Sequence, residues 1–508
     1  MEREILIDTQ EAQERRIAIV EDKTLEEYYI ERVGVHRHIG NICKGKVVNV
    51  LAGIQAAFVD IGLEKNGFLH IDDVDVPVSS NGEAGDTEDR PAPKSRHDRQ
   101  ITELLKDGQE LIVQIVKEPL GTKGVRLTTS ISLPGRSLVL LPFDKDISIS
   151  RKIAAPEERK RLRQLANEAN LPANCGLIVR TAAENCPNKD FLADAQYLIN
   201  LWKMIEQKHK ELPAPSVLHE ELDLVLRTIR DSFSEEVARV VINSREEYKR
   251  VVTFVRELVP GASRNIELYE GKIPIFDKWG VQKDIDRAFR RKIWLKCGGH
   301  IVFDETEAMI AIDVNSGRHT TSDNLEDTVT KTNLEAADEI ARQLRLRNVG
   351  GLVVIDFIDM RSKQNQREVL NKLQAALKKD KAKSSILPIS EFGLVEMTRQ
   401  RVKESITDSV YDQCPYCKGR GAVKSVVSAC IDLQRALKTC LIEKPDRELR
   451  IDVPPLVLDS LRDNIVLFKN LEDKFGARLT ICAKEGLHIE EFSICNHRTG
   501  KVLESNRH

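Results

Sequence analysis

Residues 300–360 constrain the fold most strongly, because they read as two strands, a helix and a further strand in succession. HIVFDETEAMIAIDVNSGR predicts a β-hairpin whose second strand covers about residues 308–315. EAADEIARQLRLR predicts a helix that ends before Gly350, and LVVIDFIDM predicts a buried strand that contains Asp356. Strand, helix and strand in this order imply a right-handed crossover between parallel neighbours.

Two aspartates, Asp313 and Asp356, fall near the ends of the strands that this crossover joins. Because α/β sheets place their sites at the carboxyl ends of parallel strands, we expect the two carboxylates to meet. Asn315 shares a strand face with Asp313. Such oxygen ligands suit Mg²⁺, which activates water and neutralises charge developing on a phosphodiester. The alternative is that Asp313 caps the turn at NSGR while Asp356 makes an N-cap or an ion pair, but burial in apolar strands would make an unpaired charge costly.

Residues 39–130 alternate apolar and polar side chains in five short segments, which predicts a small Greek-key barrel of the oligonucleotide-binding (OB) type. Phe58 and Phe68 fall on consecutive strands, and Lys123 lies at a glycine-flanked turn that could reach a phosphate. Rings on such a barrel stack on bases and contribute roughly 1–3 kcal/mol each. The alternative is a core role for both rings. Turn formers and charges at residues 76–100 predict a loop within the barrel.

Length and composition set broad limits. A chain of 508 residues is too long for one core, so we expect three to five compact units. No apolar run reaches the roughly 18 residues that a membrane span needs. The acidic N-terminus lacks the pattern of a signal peptide, and the ten scattered cysteines suit single thiols in a reducing compartment. These features predict a cytoplasmic protein, and the net charge of -2 neither requires nor excludes nucleic acid.

The remaining segments predict further α/β structure. Residues 1–38 read as two strands and a short helix at LEEYYIER, and they are too short to form a domain. Residues 131–220 alternate strands with helices and end in ELPAPSVLHEE, whose prolines predict a linker. Residues 221–290 resume strands and helices, and residues 426–508 predict a final small α/β domain.

The motif CPYCKGRG places Cys414 and Cys417 two residues apart around a turn, which is typical of thiolates that bind zinc. A structural zinc takes four ligands, and this motif supplies two. The later cysteines lie on a predicted helix or on separate strands, and no histidine is near the motif in sequence. A turn without metal is therefore the alternative.

Four long motifs carry a resemblance to a known family. AIDVNSGR, NLEAADEIARQLRLRNVGGLVVIDFIDM, FGLVEMTRQR and CPYCKGRG resemble signatures of the ribonuclease E/G family, and the similarity covers essentially the whole chain. The resemblance implies the short form of that family, without a long C-terminal arm. It implies a multidomain α/β fold, with an S1-type OB barrel inserted in an RNase H-like unit. A DNase I-like α/β catalytic subdomain, a zinc link and a small α/β domain would follow.

The resemblance also implies boundaries for these parts. The RNase H-like unit would combine residues 1–38 with 221–290, and the S1-type RNA-binding barrel would take 39–130. The other parts would be a 5′-end sensor, the catalytic subdomain, the zinc link and the small C-terminal domain, at residues 131–220, 291–410, 411–425 and 426–508.

The implied activity is that of a magnesium-dependent endoribonuclease that cleaves single-stranded, A/U-rich RNA. It would favour 5′-monophosphorylated substrates, leave a 5′-monophosphate and a 3′-hydroxyl, and act in rRNA maturation and mRNA decay. The resemblance assigns Mg²⁺ to Asp313 and Asp356, and it assigns support of Asp356 and orientation of the attacking water to Asn315. Two alternatives stay open, a non-catalytic RNA-binding scaffold and a nuclease that also cuts single-stranded DNA.

The resemblance further implies substrate-contact and assembly residues. An arginine fork and a hydroxyl can donate to phosphate oxygens, and a glycine permits close backbone approach. RNA contact is assigned to Phe58, Phe68 and Lys123, and the 5′-phosphate sensor to Gly135, Val139, Arg180 and Thr181. Cys414 and Cys417 of two chains would hold one Zn²⁺ in a homodimer with an isologous contact. A further contact through residues 426–508 would make a homotetramer.

Overall fold

The structure is a computed structural model that describes most of the chain. The described residues are 2–33, 38–74, 100–117, 124–172, 174–233, 237–258, 265–306, 308–317, 325–401, 405–462 and 465–506. The chain divides into two compact units, Met1–Ser409 and Val410–His508. Within the described ranges, no helix has both the length and the apolar character needed to cross a membrane.

Three antiparallel strands begin the first unit: β1 (Arg3–Asp8), β2 (Glu14–Glu21) and β3 (Thr24–Arg32). The predicted helix at LEEYYIER lies within β3, so that prediction is wrong. Leu25 and Tyr28 of this strand are buried. Pairing with β2 and the burial of these side chains therefore outweigh the helix propensity of the glutamates.

Five strands then close into a barrel. They are β4 (Ile42–Leu51), β5 (Ala56–Asp60), β6 (Gly67–His70), β7 (Glu110–Lys117) and β8 (Arg126–Thr128), with the short helix α1 (Ile101–Leu104) before β7. The strand order is β4-β5-β6-β8-β7, and β7 pairs back with β4. This closed barrel is consistent with the predicted OB-type fold. The loop predicted at residues 76–100 lies outside the described residues except for its last position.

A smaller sheet and two helices follow the barrel. Their bounds are β9 (Leu133–Pro134), β10 (Leu138–Pro142), β11 (Ile147–Ile149), α2 (Pro156–Glu168), β12 (Cys175–Val179) and α3 (Asn188–Glu211). The sheet order is β11-β12-β10-β9. Phe191 and Trp202 of α3 pack with Leu162 of α2 and Leu140 of β10 in one core.

The proline-bearing segment after α3 contains a strand, so its prediction as a linker is wrong. Ser216–His219 forms β13, which pairs antiparallel with β4 of the barrel. Pro213 and Pro215 precede this strand, so they withhold no hydrogen-bond donor from the pairing. Lys44 of β4 strengthens the attachment, because its Nζ donates to the carbonyl oxygen of Leu212 at 2.9 Å.

The next elements complete the sheet that β1–β3 begin. They are α4 (Leu224–Ser232), β14 (Val237–Ile242), α5 (Arg245–Leu258), β15 (Ile266–Leu268), α6 (Ile275–Lys278) and α7 (Gln282–Ala288). β14 pairs parallel with both β1 and β15, which gives the order β15-β14-β1-β2-β3. In the sequence, β1–β3 of this sheet thus precede the barrel and the small sheet, and β14 and β15 follow them.

A six-stranded sheet with two covering helices ends the first unit. Its elements are β16 (Lys292–Trp294), β17 (His300–Glu305), β18 (Met309–Asn315), α8 (Leu325–Leu346), β19 (Gly351–Asp356), α9 (Lys363–Leu377), β20 (Ser384–Ile386) and β21 (Leu394–Arg399), followed by α10 (Ile406–Val410). The order is β16-β17-β18-β19-β21-β20, and β18 and β19 are parallel. Ile340 of α8 and Leu373 of α9 pack on Ile355 of β19. These helices cover one face of the sheet, and its other face is open.

The second unit is a four-stranded sheet with three helices. Its elements are α11 (Val426–Glu443), β22 (Glu448–Val453), α12 (Pro455–Arg462), α13 (Ile465–Phe475), β23 (Arg478–Ala483), β24 (Ser493–Asn496) and β25 (Val502–Ser505). The order is β23-β22-β24-β25. Ser425 caps α11 by accepting a hydrogen bond from the Ser428 N–H, and Leu437 of α11 packs with Ile451 of β22 in the core.

Candidate active site

Asp313 and Asp356 lie side by side near the ends of β18 and β19. They are direct register partners in this parallel pair, and neighbouring strands are about 4.8 Å apart. The structure therefore brings the two aspartates together as the strand–helix–strand pattern predicts.

Both carboxylates are exposed on the open face of the sheet, so the prediction that they lie inside buried strands is wrong. Ile312, Val314 and Ile355 point to the opposite face, where they pack in the core beneath the helices. The apolar residues before Asp356 had suggested burial, but they alternate between the two faces of the sheet. Solvent access removes the burial argument for a metal site, and it also leaves the carboxylates accessible to an ion and a substrate.

Asn315 lies on the same face, two residues beyond Asp313. Its Nδ2 donates a hydrogen bond to Oδ2 of Asp313 at 2.7 Å. The resemblance implied that Asn315 supports Asp356, whereas the hydrogen bond in the structure goes to Asp313. Because this bond fixes the orientation of the Asp313 carboxylate, Asn315 acts on the first aspartate of the pair.

Two side chains of α8 fix the chain segment that follows β19. Asn333 is fully buried, and its Nδ2 donates to the carbonyl oxygen of Ile358 at 2.8 Å while its Oδ1 accepts the Ile358 N–H at 3.1 Å. Glu326 accepts the N–H groups of Arg361 and Ser362. Sequence reasoning missed both residues. The one available signal was an asparagine at a helical position where the pattern calls for an apolar side chain.

The pKa of Asp356 is raised, first by partial burial and then by the negative charges of Asp313 and Asp359. A cation between the carboxylates would relieve this repulsion. Mg²⁺ is commonly bound by one or two carboxylates, with water and substrate phosphates completing its shell. No cluster of three or more His, Cys, Asp or Glu side chains suited to an ion occurs in the part of the chain that the structure describes. The two exposed carboxylates nevertheless fit Mg²⁺ bound in this way.

The aromatic residues of the barrel lie on its outer surface. Phe58 and Phe68 are register partners on β5 and β6, with ring centroids 6.0 Å apart in an edge-to-face arrangement. The Phe68 ring also stacks near His70. Both phenylalanines are half-buried, whereas Ala57 and Val59 point into the barrel core. The alternative of a core role therefore does not hold, and Lys123 lies outside the described residues.

The four residues assigned to a 5′-end sensor lie close together. Gly135 precedes β10 and Val139 lies on it, while Arg180 and Thr181 directly follow β12, the neighbouring strand. Nη1 of Arg180 donates to the carbonyl oxygen of Gly135 at 2.7 Å. Val139 is half-buried and Thr181 is exposed, so this edge presents a guanidinium, a hydroxyl and a small apolar surface.

Asp231, at the end of α4, holds Arg180 in place. Nη1 of Arg180 donates to Oδ1 of Asp231 at 2.9 Å, and Nε of Arg230 donates to the same oxygen at 3.2 Å. Arg230 is in turn bound to Glu221 at 2.8 Å. Burial acts to raise the pKa of Asp231, but Arg230 and Arg180 lower it below its ordinary value. All side-chain hydrogen bonds from Arg180 to other described residues use Nη1, so the Nε–Nη2 edge of its guanidinium donates to none of them.

The structure gives a reason for the glycine at position 135 that the sequence did not suggest. A Cβ at this position would lie 2.5 Å from Oδ1 of Asp194. The buried Asp194 carboxylate accepts the backbone N–H groups of Arg136, Ser137 and Leu138. Burial raises the pKa of Asp194, although these hydrogen bonds act in the opposite direction. The glycine therefore admits the carboxylate that shapes the turn beside Arg180.

Known proteins similar to this chain indicate its family. A model described as the ribonuclease E/G family matches residues 132–402. Ribonuclease G of Salmonella typhimurium (strain SL1344) is 43% identical over 424 residues, which are 84% of this chain and 85% of the relative. Ribonuclease G of Haemophilus influenzae is 38% identical over 483 residues, 95% of this chain and 97% of the relative.

The chain belongs to the ribonuclease E/G family. The resemblance stated from its motifs is thereby confirmed. A second model, described as the RNase E/G, Thioredoxin-like domain, matches residues 413–498, so the second unit is a domain of this class. Ribonuclease E of Escherichia coli (strain K12) is 36% identical over 508 residues, which cover 98% of this chain but 46% of that relative.

The two cysteines of the ribonuclease E/G motif CPYCKGRG lie near the start of the second unit. Cys414 is exposed, and its pKa is lowered by hydrogen bonds from the backbone of Cys417, the backbone of Tyr416 and the Cys417 thiol. The Gly421 N–H donates to Sγ of Cys417 at 3.3 Å. Such donors stabilise thiolates, which are the form that binds zinc. His488, distant in sequence, packs its ring 4.2 Å from that of Tyr416.

The raised pKa of Asp356 can be tested in the metal-free protein. We expect its carboxyl to titrate above the ordinary range of an aspartate, and Asp359→Asn to lower this pKa because it removes a neighbouring negative charge. Carbon-13 NMR of the carboxyl groups measures both. Because the pKa of Asp356 is higher in the folded state than in the unfolded state, this carboxyl contributes most to stability at pH values below its unfolded-state pKa. The contribution is lost as the pH rises through its folded-state pKa.

The control for this titration is Asp338→Asn, which changes an exposed aspartate of α8 that pairs with Lys372. It should leave the Asp356 titration unchanged. An Asp356 carboxyl that titrates in the ordinary range would contradict the expected repulsion, as would one that does not respond to Asp359→Asn.

Proposed function

We propose that this protein is a magnesium-dependent endoribonuclease that cleaves single-stranded, A/U-rich RNA and leaves a 5′-monophosphate and a 3′-hydroxyl. Membership of the ribonuclease E/G family supports the endoribonuclease class. The observation that carries the proposal is the register pairing of Asp313 with Asp356 on an open sheet face. We assign the activity to rRNA maturation and mRNA decay in the cytoplasm, with preference for 5′-monophosphorylated substrates.

Asp313 and Asp356 would hold Mg²⁺ through their carboxylate oxygens. The ion, when bound, supplies activation of water and neutralises charge that develops on the phosphodiester. Asn315 orients the Asp313 carboxylate through its 2.7 Å hydrogen bond. Asn333 holds the backbone at Ile358, so the segment that carries Asp359 keeps its position beside the pair.

The carboxylate pair also argues against a non-catalytic RNA-binding scaffold. Two adjacent negative charges on an exposed face repel a polyanion, so a protein that only bound RNA would lose affinity by keeping them. With a cation between the carboxylates, the same face attracts a phosphate instead. Whether DNA is also cut depends on contacts to the sugar, and a DNA copy of the RNA substrate decides this point.

The catalytic assignment predicts that Asp313→Asn and Asp356→Asn each lower cleavage by more than about 100-fold, since loss of even the partners of metal ligands costs about 10–100-fold. RNA binding should persist, because each change removes a negative charge. Cleavage of a labelled, 5′-monophosphorylated single-stranded RNA with and without Mg²⁺ measures the effect. Asp338→Asn is the control, and near-normal turnover in either test variant would place the chemistry elsewhere.

The sensor proposal rests on the Nε–Nη2 edge of Arg180, which donates to no other residue that the structure describes. A guanidinium whose Nη1 is bound to Asp231 and Gly135 presents Nε and Nη2 in the geometry that binds phosphate with two parallel hydrogen bonds. The neighbouring Thr181 can add its hydroxyl. Asp231 serves as a positioning residue, because it fixes the orientation of the fork without facing the phosphate.

Arg180→Ala should therefore lower the cleavage of 5′-monophosphorylated RNA toward that of the 5′-hydroxyl RNA, through a higher KM. Asp231→Asn should reduce the same preference partly, since it keeps a hydrogen-bond acceptor and loses the charge. Initial rates on the paired RNAs measure both effects. Arg245→Ala, which removes an exposed arginine paired with Glu270, is the control. Equal losses on both RNAs would show that Arg180 has only a structural role.

For the cysteine motif, we propose that Cys414 and Cys417 of two chains hold one Zn²⁺ in a homodimer. Four thiolates in tetrahedral geometry suit zinc, and each chain contributes two with backbone donors already directed at their sulfurs. A two-fold axis through the ion makes the contact isologous. A dimer of such dimers would use residues 426–508. The alternative is a turn that binds no metal.

This assembly predicts about one zinc for every two chains, since four thiolates complete the shell. Cys414→Ser and Cys417→Ser should lose the zinc and yield monomers. Elemental analysis combined with light scattering measures both quantities. Cys482→Ser, which changes a partly exposed cysteine of β23, is the control. One zinc per chain, or a dimer that survives chelation without zinc, is incompatible with the shared site.

A further inference from the structure

We propose that two exposed aromatic side chains, Trp294 and Phe392, form base-stacking subsites on opposite sides of the Asp313–Asp356 pair. The ligand would be a single-stranded RNA whose bases flank the cleaved phosphodiester. The inference rests on the proposed ribonuclease function and adds two contacts to it. These rings belong to the sheet that carries the carboxylates, and they are separate from the barrel aromatics.

Phe392 is 88% exposed, the highest value for a large hydrophobic residue in the described ranges. It lies on the turn between β20 and β21, and three hydrogen bonds hold this turn. The Gly393 N–H donates to the carbonyl oxygen of Ser390 at 3.0 Å, and the Ser390 N–H donates to that of Leu394 at 2.9 Å. The Ser390 hydroxyl accepts the Leu394 N–H at 3.3 Å. An ordered turn thus holds a phenyl ring in water.

The turn that carries Phe392 borders the carboxylates directly. Leu394, at the start of β21, is the register partner of Asp356. A Cβ on Gly393 would lie 3.5 Å from Oδ1 of Asp359. Phe392 is next in sequence to that glycine, so its ring lies at the β21 side of the site.

Trp294 occupies the opposite side of the same open face. It is 58% exposed, whereas Trp202 in the core beneath α3 is 2% exposed. Trp294 pairs with His300, and His300 pairs with Asn315, the residue that binds Asp313. Register partners in antiparallel strands point to the same face. The tryptophan ring therefore shares the face of the carboxylates, two strands away from Asn315.

The Lys292 ammonium lies 4.3 Å from the centre of the Trp294 ring. Lys292 is in the same cross-strand row as Asp313, with Val302 between them. The edge thus offers a ring for a base beside a cation for a phosphate. This combination fits single-stranded nucleic acid, whose backbone follows basic groups while its bases stack on aromatic rings.

The separation of the two rings fits an extended ligand that crosses the site. Four strand spacings of about 4.8 Å separate β16 from β21, or roughly 19 Å. A stacked strand advances about 3.4 Å per nucleotide, so the span is on the order of six nucleotides, and fewer if the strand is stretched. A protein partner would instead favour one continuous apolar patch, whereas here the polar carboxylates lie between the rings.

The test compares Trp294→Ala and Phe392→Ala on an RNA with a single cleavage position. Loss of one stacked base should raise KM roughly 5- to 100-fold with a smaller change in kcat, because stacking mainly supplies binding. Trp294→Phe and Phe392→Tyr keep a ring and should restore most of the affinity. Met204→Ala, which changes an exposed side chain on α3, is the matched control and should behave as wild type.

Abasic nucleotides identify the base that each ring contacts. In the wild type, an abasic nucleotide on one side of the cleaved bond should raise KM, and it should add nothing further in Phe392→Ala. An abasic nucleotide on the other side should show the same loss of additivity with Trp294→Ala. Dissociation constants for the same RNAs, measured by fluorescence anisotropy, give the same comparison of protein variants with abasic positions and do not require cleavage.

The outcomes separate this inference from the function on which it rests. A wild type that binds these RNAs but does not cut them contradicts the proposed ribonuclease function. The dissociation constants would still test whether the two rings stack on bases. The stacking subsites are overturned if the effect of the abasic nucleotide and the effect of the alanine substitution add fully at every position. A KM for both alanine variants equal to that of Met204→Ala also overturns them, as does a change in oligomeric state without any change in RNA affinity.

Discussion

Two carboxylates on adjacent parallel strands repel each other, and a fold keeps them adjacent only if the backbone fixes both positions. Here the parallel pairing of β18 with β19 sets Asp313 opposite Asp356. The hydrophobic core under the sheet provides the energy, since Ile312 and Ile355 are buried beneath α8 and α9. Partial burial raises the pKa of Asp356 most, and the negative charges of Asp313 and Asp359 raise it further. Stability from the buried face thus maintains an unfavourable arrangement on the open face, which is typical of sites that bind a cation.

The positioning of the other candidate groups follows the same rule, in that buried polar contacts orient exposed ones. Asn333 is fully buried and holds the backbone after β19 by two hydrogen bonds. Asp194 is buried and shapes the turn at Gly135, while Asp231 holds Arg180. Asn333 and Asp194 would be costly to bury without their partners, and Asp231 is half-buried. The free-energy cost of burying such polar side chains is consistent with a role in holding nearby groups in fixed orientations.

Sequence periodicity predicted the central features for identifiable reasons. The order of strand, helix and strand has one favoured handedness, so it placed Asp313 beside Asp356. Alternation within five short strands predicted the barrel. Local patterns failed where strand pairing and burial decide the structure. The strand at LEEYYIER pairs with β2 in a hairpin and buries Leu25 and Tyr28, and the strand at Ser216–His219 pairs with β4, which is far away in the sequence. The partner of Arg180 is also distant in sequence, because Asp231 lies 51 residues along the chain.

Besides strand pairing, the sequence did not predict the direction in which side chains point. An apolar stretch such as LVVID suggests burial of the whole strand, yet Asp356 is on the solvent face because one face alone is covered by helices. Likewise Asn315 could have supported either aspartate, and only the geometry shows that it binds Asp313. These details depend on which face the helices cover, which sequence spacing alone does not determine.

The charge balance limits how such a protein could hold RNA. A net charge of -2 gives little long-range attraction for a polyanion, and an acidic pair at the candidate active site opposes it locally. Affinity must then come from short-range contacts. The contacts proposed for Phe58 and Phe68 on the barrel and for Arg180 are of this kind. Stacking is short-range, whereas attraction between exposed charges is screened beyond about 10 Å at 0.1 M salt. Under the proposed function, a single strand would be held where the aromatic rings or the fixed guanidinium contact it, and a cation at the carboxylates would reverse the local charge only where the phosphodiester approaches.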